Sequence, residues 1–485
     1  MKPIQKVAVI DIGSNSCRMV IYERSGDALL PYFNEKSMAG LGRGLPETGR
    51  LSAEGWVNAI ETFHRFRSIL DGLGIEQVYA AATSAVREAR DGVAFTKRAE
   101  EALGVKLSVL SGADEGRLSA LGVNLGFDQP KGLVADLGGS SMELHAVGRD
   151  IGPGESYLLG PLARQEDEGL TVSKRIKIVK SIMADSSLAE TRSKHLFAVG
   201  GAWRNLAAVD MMLKGYPLRV VHAYRLNKQS IEGVIEAAVG AEHHKDIRDK
   251  LQNVSKKRFD TLLHSAIVLK ALLELSNANA VTISAFGLRD GVVAENLGFG
   301  EKDGLLDSVP LFLRSPQTSI DFGRELLSFG APIRKFFSPS DSVLAATCLM
   351  ADAGARMHPD HRANLVHSQI LRAPVPTLDH DGRLFAAYAA ASRYTYKLRA
   401  PDDITAIMSE DMIKQARAFG TAMRLAGVYS GRSAAILKTA KLVVSGTSLV
   451  LQVGRAHSDL VSDTVKRRHG QLANLLSMTA KFELT

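Results

Sequence analysis

A chain of 485 residues with 45% hydrophobic and 23% charged side chains can fill roughly two to four packed domains, which excludes a disordered or fibrous protein. The formal charge of +8 is uneven: residues 301–485 carry 23 Lys/Arg against 17 Asp/Glu, whereas residues 1–300 carry 37 against 35. Two distant cysteines, Cys17 and Cys348, exclude a disulfide framework. The N-terminus lacks a signal-like apolar core, and no uncharged run reaches membrane-spanning length, so a soluble protein of the reducing cytoplasm is expected.

The first apolar strand, expected over 6–10, runs into Asp11-Ile-Gly-Ser-Asn-Ser16, a Gly/Ser turn followed by a second strand over 18–22. A helix is predicted over 52–70, with Ser52 as its cap and Trp56, Ile60, Phe63, Phe66 and Leu70 at helical spacing. Strands follow at 77–82 and 106–110. Near 129 the opening pattern restarts: Val134-Ala-Asp136-Leu-Gly-Gly-Ser-Ser141 repeats strand, aspartate and turn, and runs on into Met142-Glu143-Leu144. A helix over 173–184, a strand over 195–199, helices within 229–277 and a strand over 280–285 complete this second part. From roughly 305 the texture becomes helical, with segments at 340–355, 383–396 and 410–426. Ser445-Gly446-Thr447 between 441–444 and 448–453 reads as a hairpin, and a helix over 458–476 closes the chain. The expected domains are 1–128, 129–300 and 301–485.

The duplicated turn carries the main chemical signal. Gly and Ser let a backbone approach an anion and offer N–H and hydroxyl donors, and a carboxylate at a strand end can hold a hard divalent cation. Two such turns facing each other would form a phosphate clamp, with Asn15, Ser16, Gly139, Ser140 and Ser141 as donors and Asp11 and Asp136 as metal ligands. A single such Asp is equally a turn-former, but the repeated pair favours the clamp. Glu143 would add a further carboxylate if the segment after the turn is extended. Arg87 could fork onto phosphate oxygens, or pair on the surface with Glu88 or Asp91. Glu115 reads by itself as a carboxylate at a helix N-terminus. The basic C-terminal region, with Arg372, Arg393, Lys397, Arg399, Lys466, Arg467 and Arg468, suits a polyanion or an ordinary solvated surface. A DNA partner is not expected, because no basic run is interleaved with aromatics and no zinc-finger spacing occurs.

Six segments in order resemble the Ppx/GppA phosphatases, the exopolyphosphatases and guanosine pentaphosphate phosphohydrolases of the actin-like ATPase superfamily. They are Asp11–Ser16, Ala82-Thr-Ser-Ala-Val-Arg87-Glu-Ala89, Ser111-Gly-Ala-Asp-Glu115-Gly-Arg117, Asp136–Glu143, Val199-Gly-Gly201 and Gly287-Leu-Arg-Asp-Gly291. The resemblance implies an α/β fold of two actin-like (ribonuclease H-like) lobes around a central cleft. An all-α, HD-related C-terminal domain ending in a small β-hairpin and helix would follow. It further implies Glu115 as general base, Arg87 as a second catalytic residue, and Mg²⁺ (Mn²⁺ as a substitute) held by Asp136, Asp11 and Glu143. Inorganic polyphosphate is the implied substrate, with (p)ppGpp as an alternative substrate or an inhibitor. The competing readings are a pppGpp 5′-phosphohydrolase and a non-catalytic alarmone or nucleotide sensor. A homodimer is expected by resemblance alone. His358, Asp360, His361, His367, Asp379 and Asp381 invite an HD-type metal site, but their spacing favours a helical domain without bound metal.

Three departures stand out. Ser140 replaces a glycine usual in the second turn, and would be strained by about 1–2 kcal/mol if that residue needed positive φ. Leu159-Gly-Pro-Leu-Ala163 lacks an arginine that the family carries nearby, and Trp203 stands where a small residue is usual.

Overall fold

Residues 3–148, 150–167, 169–189, 195–299 and 304–485 are described by the structure, a computed structural model. They divide into two units: residues 4–24 with 31–299 form one, and residue 3 with residues 25–30 and 304–485 the other.

In the first unit the apolar stretch around Val7–Ile10 becomes β1 (Gln5–Ile12), joined by β2 (Cys17–Ser25), β3 (Ala28–Ser37), β4 (Gln77–Ala82) and β5 (Leu107–Val109) in the order β3-β2-β1-β4-β5. β1 pairs antiparallel with β2 and parallel with β4, and the parallel pairing requires a crossover. The helix Ala53–Gly72 supplies it, and Ser52 caps that helix by accepting from the Gly55 N–H. Phe63, Phe66 and Leu70 are fully buried, while Trp56 and Ile60 pack at the margin of the same core.

A second sheet repeats the plan. It holds β6 (Gly132–Leu137), β7 (Met142–Val147), β8 (Gly154–Tyr157), β9 (His195–Val199), β10 (Arg225–Asn227) and β11 (Ala280–Ile283), ordered β10-β11-β9-β6-β7-β8. β6 is antiparallel to β7 and parallel to β9, as β1 is to β2 and β4. The sequence duplication is therefore a duplication of architecture. The Ile12↔Cys17 and Leu137↔Met142 pairs each close the same short loop. Trp203, the first large residue after the paired glycines, is fully buried and donates from Nε1 to the Ser265 carbonyl at 3.0 Å, so it serves the core.

The helices Gly112–Gly126 and Leu288–Leu297 meet backbone to backbone. A Cβ on Gly122 would lie 2.1 Å from the Gly287 carbonyl oxygen, and one on Gly291 would lie 1.8 Å from that of Leu118. Neither obstacle is a movable side-chain end. Gly291→Ala should therefore destabilise the protein by about 3 kcal/mol or more, read as a shifted urea midpoint at unchanged m-value.

In the other unit the predicted helices are present with shifted ends. The first runs over Asp341–Leu349 from a Ser340 cap, the second over His380–Ser392 from an Asp379 cap, and the third over Glu410–Ser430. The helix expected at 458–476 starts only at Asp463, because Ser462 caps it and a 3₁₀ turn occupies Arg455–Leu460. The hairpin is β12 (Ala440–Ser445) and β13 (Ser448–Val453), with Gly446 at φ 56° in its turn. The chain does not close on a helix. β14 (Thr479–Leu484) adds to β13 in parallel, making a three-stranded sheet whose signal, the short alternation Ala480, Phe482, Leu484, is weak.

Candidate active site

The two turns face one another. Ser14 Oγ lies 3.2 Å from Ser140 Oγ and 3.2 Å from Ser84 Oγ, so the turn after β1, the turn after β6 and the segment after β4 share one floor. Both turns close identically, by Gly13 N–H to the Ser16 carbonyl at 3.0 Å and Gly138 N–H to the Ser141 carbonyl at 2.9 Å. Their outer carbonyls are engaged elsewhere: Gly42 N–H donates to Ser14, Gly40 to Asn15, Leu162 to Gly139 and Gly160 to Ser140. Acceptors that would repel an anion are thus turned away. Ser140 is not among the described residues with positive φ, so the anticipated strain does not arise.

Above this floor opens a cleft of about 790 Å³, lined by Asp11, Asn15, Ser16, Glu115, Asp136 and Gly139 among others. Ser140, Ser141, Glu143 and Arg87 are not among the lining residues. Glu115 lies in the first turn of Gly112–Gly126, whose cap Ser111 accepts from the Asp114 N–H at 3.0 Å. Gly116 lets this helix settle on β7, since a Cβ there would strike Glu143 and His145. Glu115 is 7% exposed, and its Oε2 accepts no hydrogen bond among the described residues. Arg87 Nη1 lies 3.6 Å from that oxygen and donates to the Leu110 carbonyl at 2.7 Å. Arg87 also lies 3.4 Å from Glu88.

Burial, and then the Glu143 and Asp136 charges, push the Glu115 carboxyl well above the ordinary range, with Arg87 opposing. Burial likewise raises Asp136 against the Ser119 hydroxyl that donates to it. Glu143 is pushed up to about 7, again by burial first, although the Ser141 and Ser156 hydroxyls favour its ionised form. Ser156 Oγ donates to Glu143 Oε1 at 3.1 Å, while its buried Oε2 accepts none among the described residues. Asp11 is paired with Arg289 Nη1 at 3.1 Å. No three His, Cys, Asp or Glu side chains among the described residues already converge as a metal cage.

The opposite wall was not foreseen. Arg18, Lys36, Arg204, Arg258 and Arg289 all line the cleft. Burial, followed by Arg258, Arg18, Arg204 and Arg289, lowers the Lys36 ammonium to about 8. Burial, then Arg289, Arg18 and Arg258, lowers Arg204 to about 10. Five cations lining one cleft favour an anionic ligand. Arg289 was legible inside Gly287-Leu-Arg-Asp-Gly291, and Arg18 stands opposite Asp11 in the hairpin register. Lys36 and Arg258 carried no local mark. A Cβ on Gly201 would fall 2.1 Å from Arg258 Nη2, so the paired glycines make room for a guanidinium.

Several of the remaining candidates have structural partners. Arg117 Nη2 bonds Glu295 Oε1 at 2.6 Å. His367 Nε2 lies 3.2 Å from Asp403, Asp379 caps a helix by accepting from the Gly382 N–H, and His358 lies 3.7 Å from Asp360. No helix among the described residues is long and apolar enough to cross a membrane.

Comparison with known proteins agrees with this geometry. The model of the Ppx/GppA phosphatase family matches residues 19–298, and that described as exopolyphosphatase, C-terminal, matches residues 336–483. The chain is 26% identical over 318 residues to Exopolyphosphatase 1 of Mycobacterium tuberculosis, covering 62% of this chain and 90% of that one. With Exopolyphosphatase 1 of Mycobacterium leprae it shares 25% over 316 residues, 62% of this chain and 91% of the other. Its fold is similar to the crystal structure of the Aquifex aeolicus Ppx/GppA family member, with a TM-score of 0.54 at 24% identity over 61% of this chain and 98% of that one. An exopolyphosphatase from Cytophaga hutchinsonii gives 0.55 at 22% identity over 62% and 100%. The two-lobed, actin-like α/β fold with a helical C-terminal part is therefore the architecture of this chain.

Proposed function

Because this chain belongs to the Ppx/GppA phosphatase family, and so is a hydrolase of phosphoanhydrides, we propose that it releases orthophosphate from the end of linear inorganic polyphosphate. The observation that carries this reading is the pairing of a buried, hydrogen-bond-free carboxylate oxygen on Glu115 with a wall of five cations in one cleft. The Asn15, Ser16 and Gly139 turns bind the terminal phosphoryl through backbone N–H groups and hydroxyls. Glu115 takes the proton of the attacking water, its basicity raised by burial, while Arg87 fixes its orientation. Arg18, Lys36, Arg204, Arg258 and Arg289 bind the phosphates next in the chain.

A divalent cation suits the chemistry of the donor set: Asp136, Asp11 and Glu143 are hard oxygen ligands, and the carboxyls of Asp136 and Glu143, raised first by burial, together with the buried Glu143 Oε2 that has no hydrogen-bond partner among the described residues, would be relieved by positive charge. Bound Mg²⁺, or Mn²⁺ in its place, would supply neutralisation of the phosphoryl oxygens.

Polyphosphate is favoured over guanosine pentaphosphate because a guanidinium, that of Arg258, rather than an apolar surface on which a base could stack, packs over Gly201. Purified protein should show a larger kcat/KM on polyphosphate than on pppGpp. An equal or larger value on the nucleotide reverses the assignment. Gly201→Ala should expel the Arg258 guanidinium while keeping the helix, since Gly201 has no positive φ. Its KM for polyphosphate should rise roughly tenfold with little change in kcat or Tm, as steady-state kinetics and a melt would show.

A further inference from the structure

The C-terminal unit holds a second polar cavity, of about 480 Å³, walled by Arg362, Arg393, Tyr394, Arg424 and Arg432. We propose that it binds a compact oligophosphate anion of about triphosphate size, at a site separate from the catalytic cleft.

Four guanidinium groups face a single nearby carboxylate. Arg393 Nη2 lies 2.9 Å from Asp352, and Arg432 Nη1 lies 3.9 Å from its other oxygen. No carboxylate lies within ion-pair distance of Arg362 or Arg424 among the described residues. Arg362 Nε and Arg393 Nε are buried and have no hydrogen-bond acceptor among those residues. Such buried donors are costly unless an acceptor reaches them.

The wall is held in place. Arg393 Nη1 donates to the Ala351 carbonyl at 2.5 Å, and the Tyr394 hydroxyl joins the same carbonyl at 2.9 Å while accepting from the Gly354 N–H at 2.9 Å. Arg362 and Arg393 lie 5.5 and 5.2 Å from the Tyr394 ring centroid. Gly427 leaves room for Arg393, whose Nη2 would be 3.1 Å from a Cβ there. Burial, then Arg468, Arg467 and Arg393, lowers Arg424 to about 10, which marks how densely the cations are packed.

A structural role at the C-terminal end of helix Glu410–Ser430 would account for one or two of these arginines, because a helix end carries about half a negative charge. It does not account for four guanidinium groups lining one cavity. Planar forks match phosphate oxygens, and the cavity is within the size range of small-molecule sites, several times larger than one orthophosphate.

The test is titration calorimetry on the full chain without divalent cation, using inorganic tripolyphosphate as the probe. Two sites per chain are expected, one of which disappears in R362A/R424A. The exposed substitution R432E, which leaves the core packing untouched, should weaken that site roughly tenfold. Guanosine triphosphate is titrated separately. Tighter binding of tripolyphosphate assigns the pocket to inorganic chains, and tighter binding of the nucleotide assigns it to nucleoside triphosphates; both sustain the proposal. Binding unaffected by R432E and by R362A/R424A overturns it, as does orthophosphate binding as tightly as either larger probe.

Discussion

Glu115→Gln should leave the chain folded and lower kcat on inorganic polyphosphate by roughly a hundred- to ten-thousandfold, the usual contribution of a positioned general base. The substitution preserves shape and removes only the ability to take a proton. Glu115 is 7% exposed, its Oε2 accepts no hydrogen bond among the described residues, and Arg87 lies 3.6 Å away. A carboxylate so placed gains nothing structural from its charge. Its ionised form is disfavoured by burial first and then by Glu143 and Asp136. Removing that charge should not destabilise the fold, so lost turnover with an unchanged or raised Tm is the combined result to look for. A loss of less than tenfold would remove Glu115 from the proton-transfer step.

Glu143→Gln tests the coupling between the acids. Because the Glu143 charge is the second cause raising Glu115, its removal should move the rising limb of kcat/KM toward lower pH. Stability has its own sign. The Glu143 carboxyl titrates at about 7 when folded, against 4.5 as its ordinary value, so the native state holds a proton that the unfolded chain releases between those limits. Stability due to this group is complete below about 4.5 and falls as pH rises through about 7. The amide side chain has no such proton to lose. The variant should equal the parent near pH 4.5 and exceed it above pH 7 by at most about 3 kcal/mol, seen as a pH-dependent gap in urea midpoints. Equal stability at both pH values would show that Glu143 is ionised at no cost to the fold.

Much of this was readable in the residues because the repeat encodes backbone geometry. Aspartate, glycine and serine at matching places produced two hairpins with the same closing hydrogen bond. The Ser52 cap and the Phe63, Phe66, Leu70 stripe were equally local signals. The cationic wall was not local. Lys36 comes from β3, Arg204 from the helix after β9, and Arg258 from a short turn far along the chain, and only tertiary packing brings them together. Single lysines and arginines look like solvated surface, so spacing could not select them. The helix expected at 458–476 began late for a simpler reason: Ser462, several residues inside the apolar pattern, took the cap. The strand β14 was missed because its six residues are all exposed, leaving only a weak alternation.

The Ser14–Ser140 contact has a consequence for how a substrate is consumed. With the two hydroxyls 3.2 Å apart, the floor of the cleft is closed where the two turns meet. A linear polyphosphate held with its end on that floor, as proposed above, would present its terminal bond to Glu115 and be shortened one unit at a time.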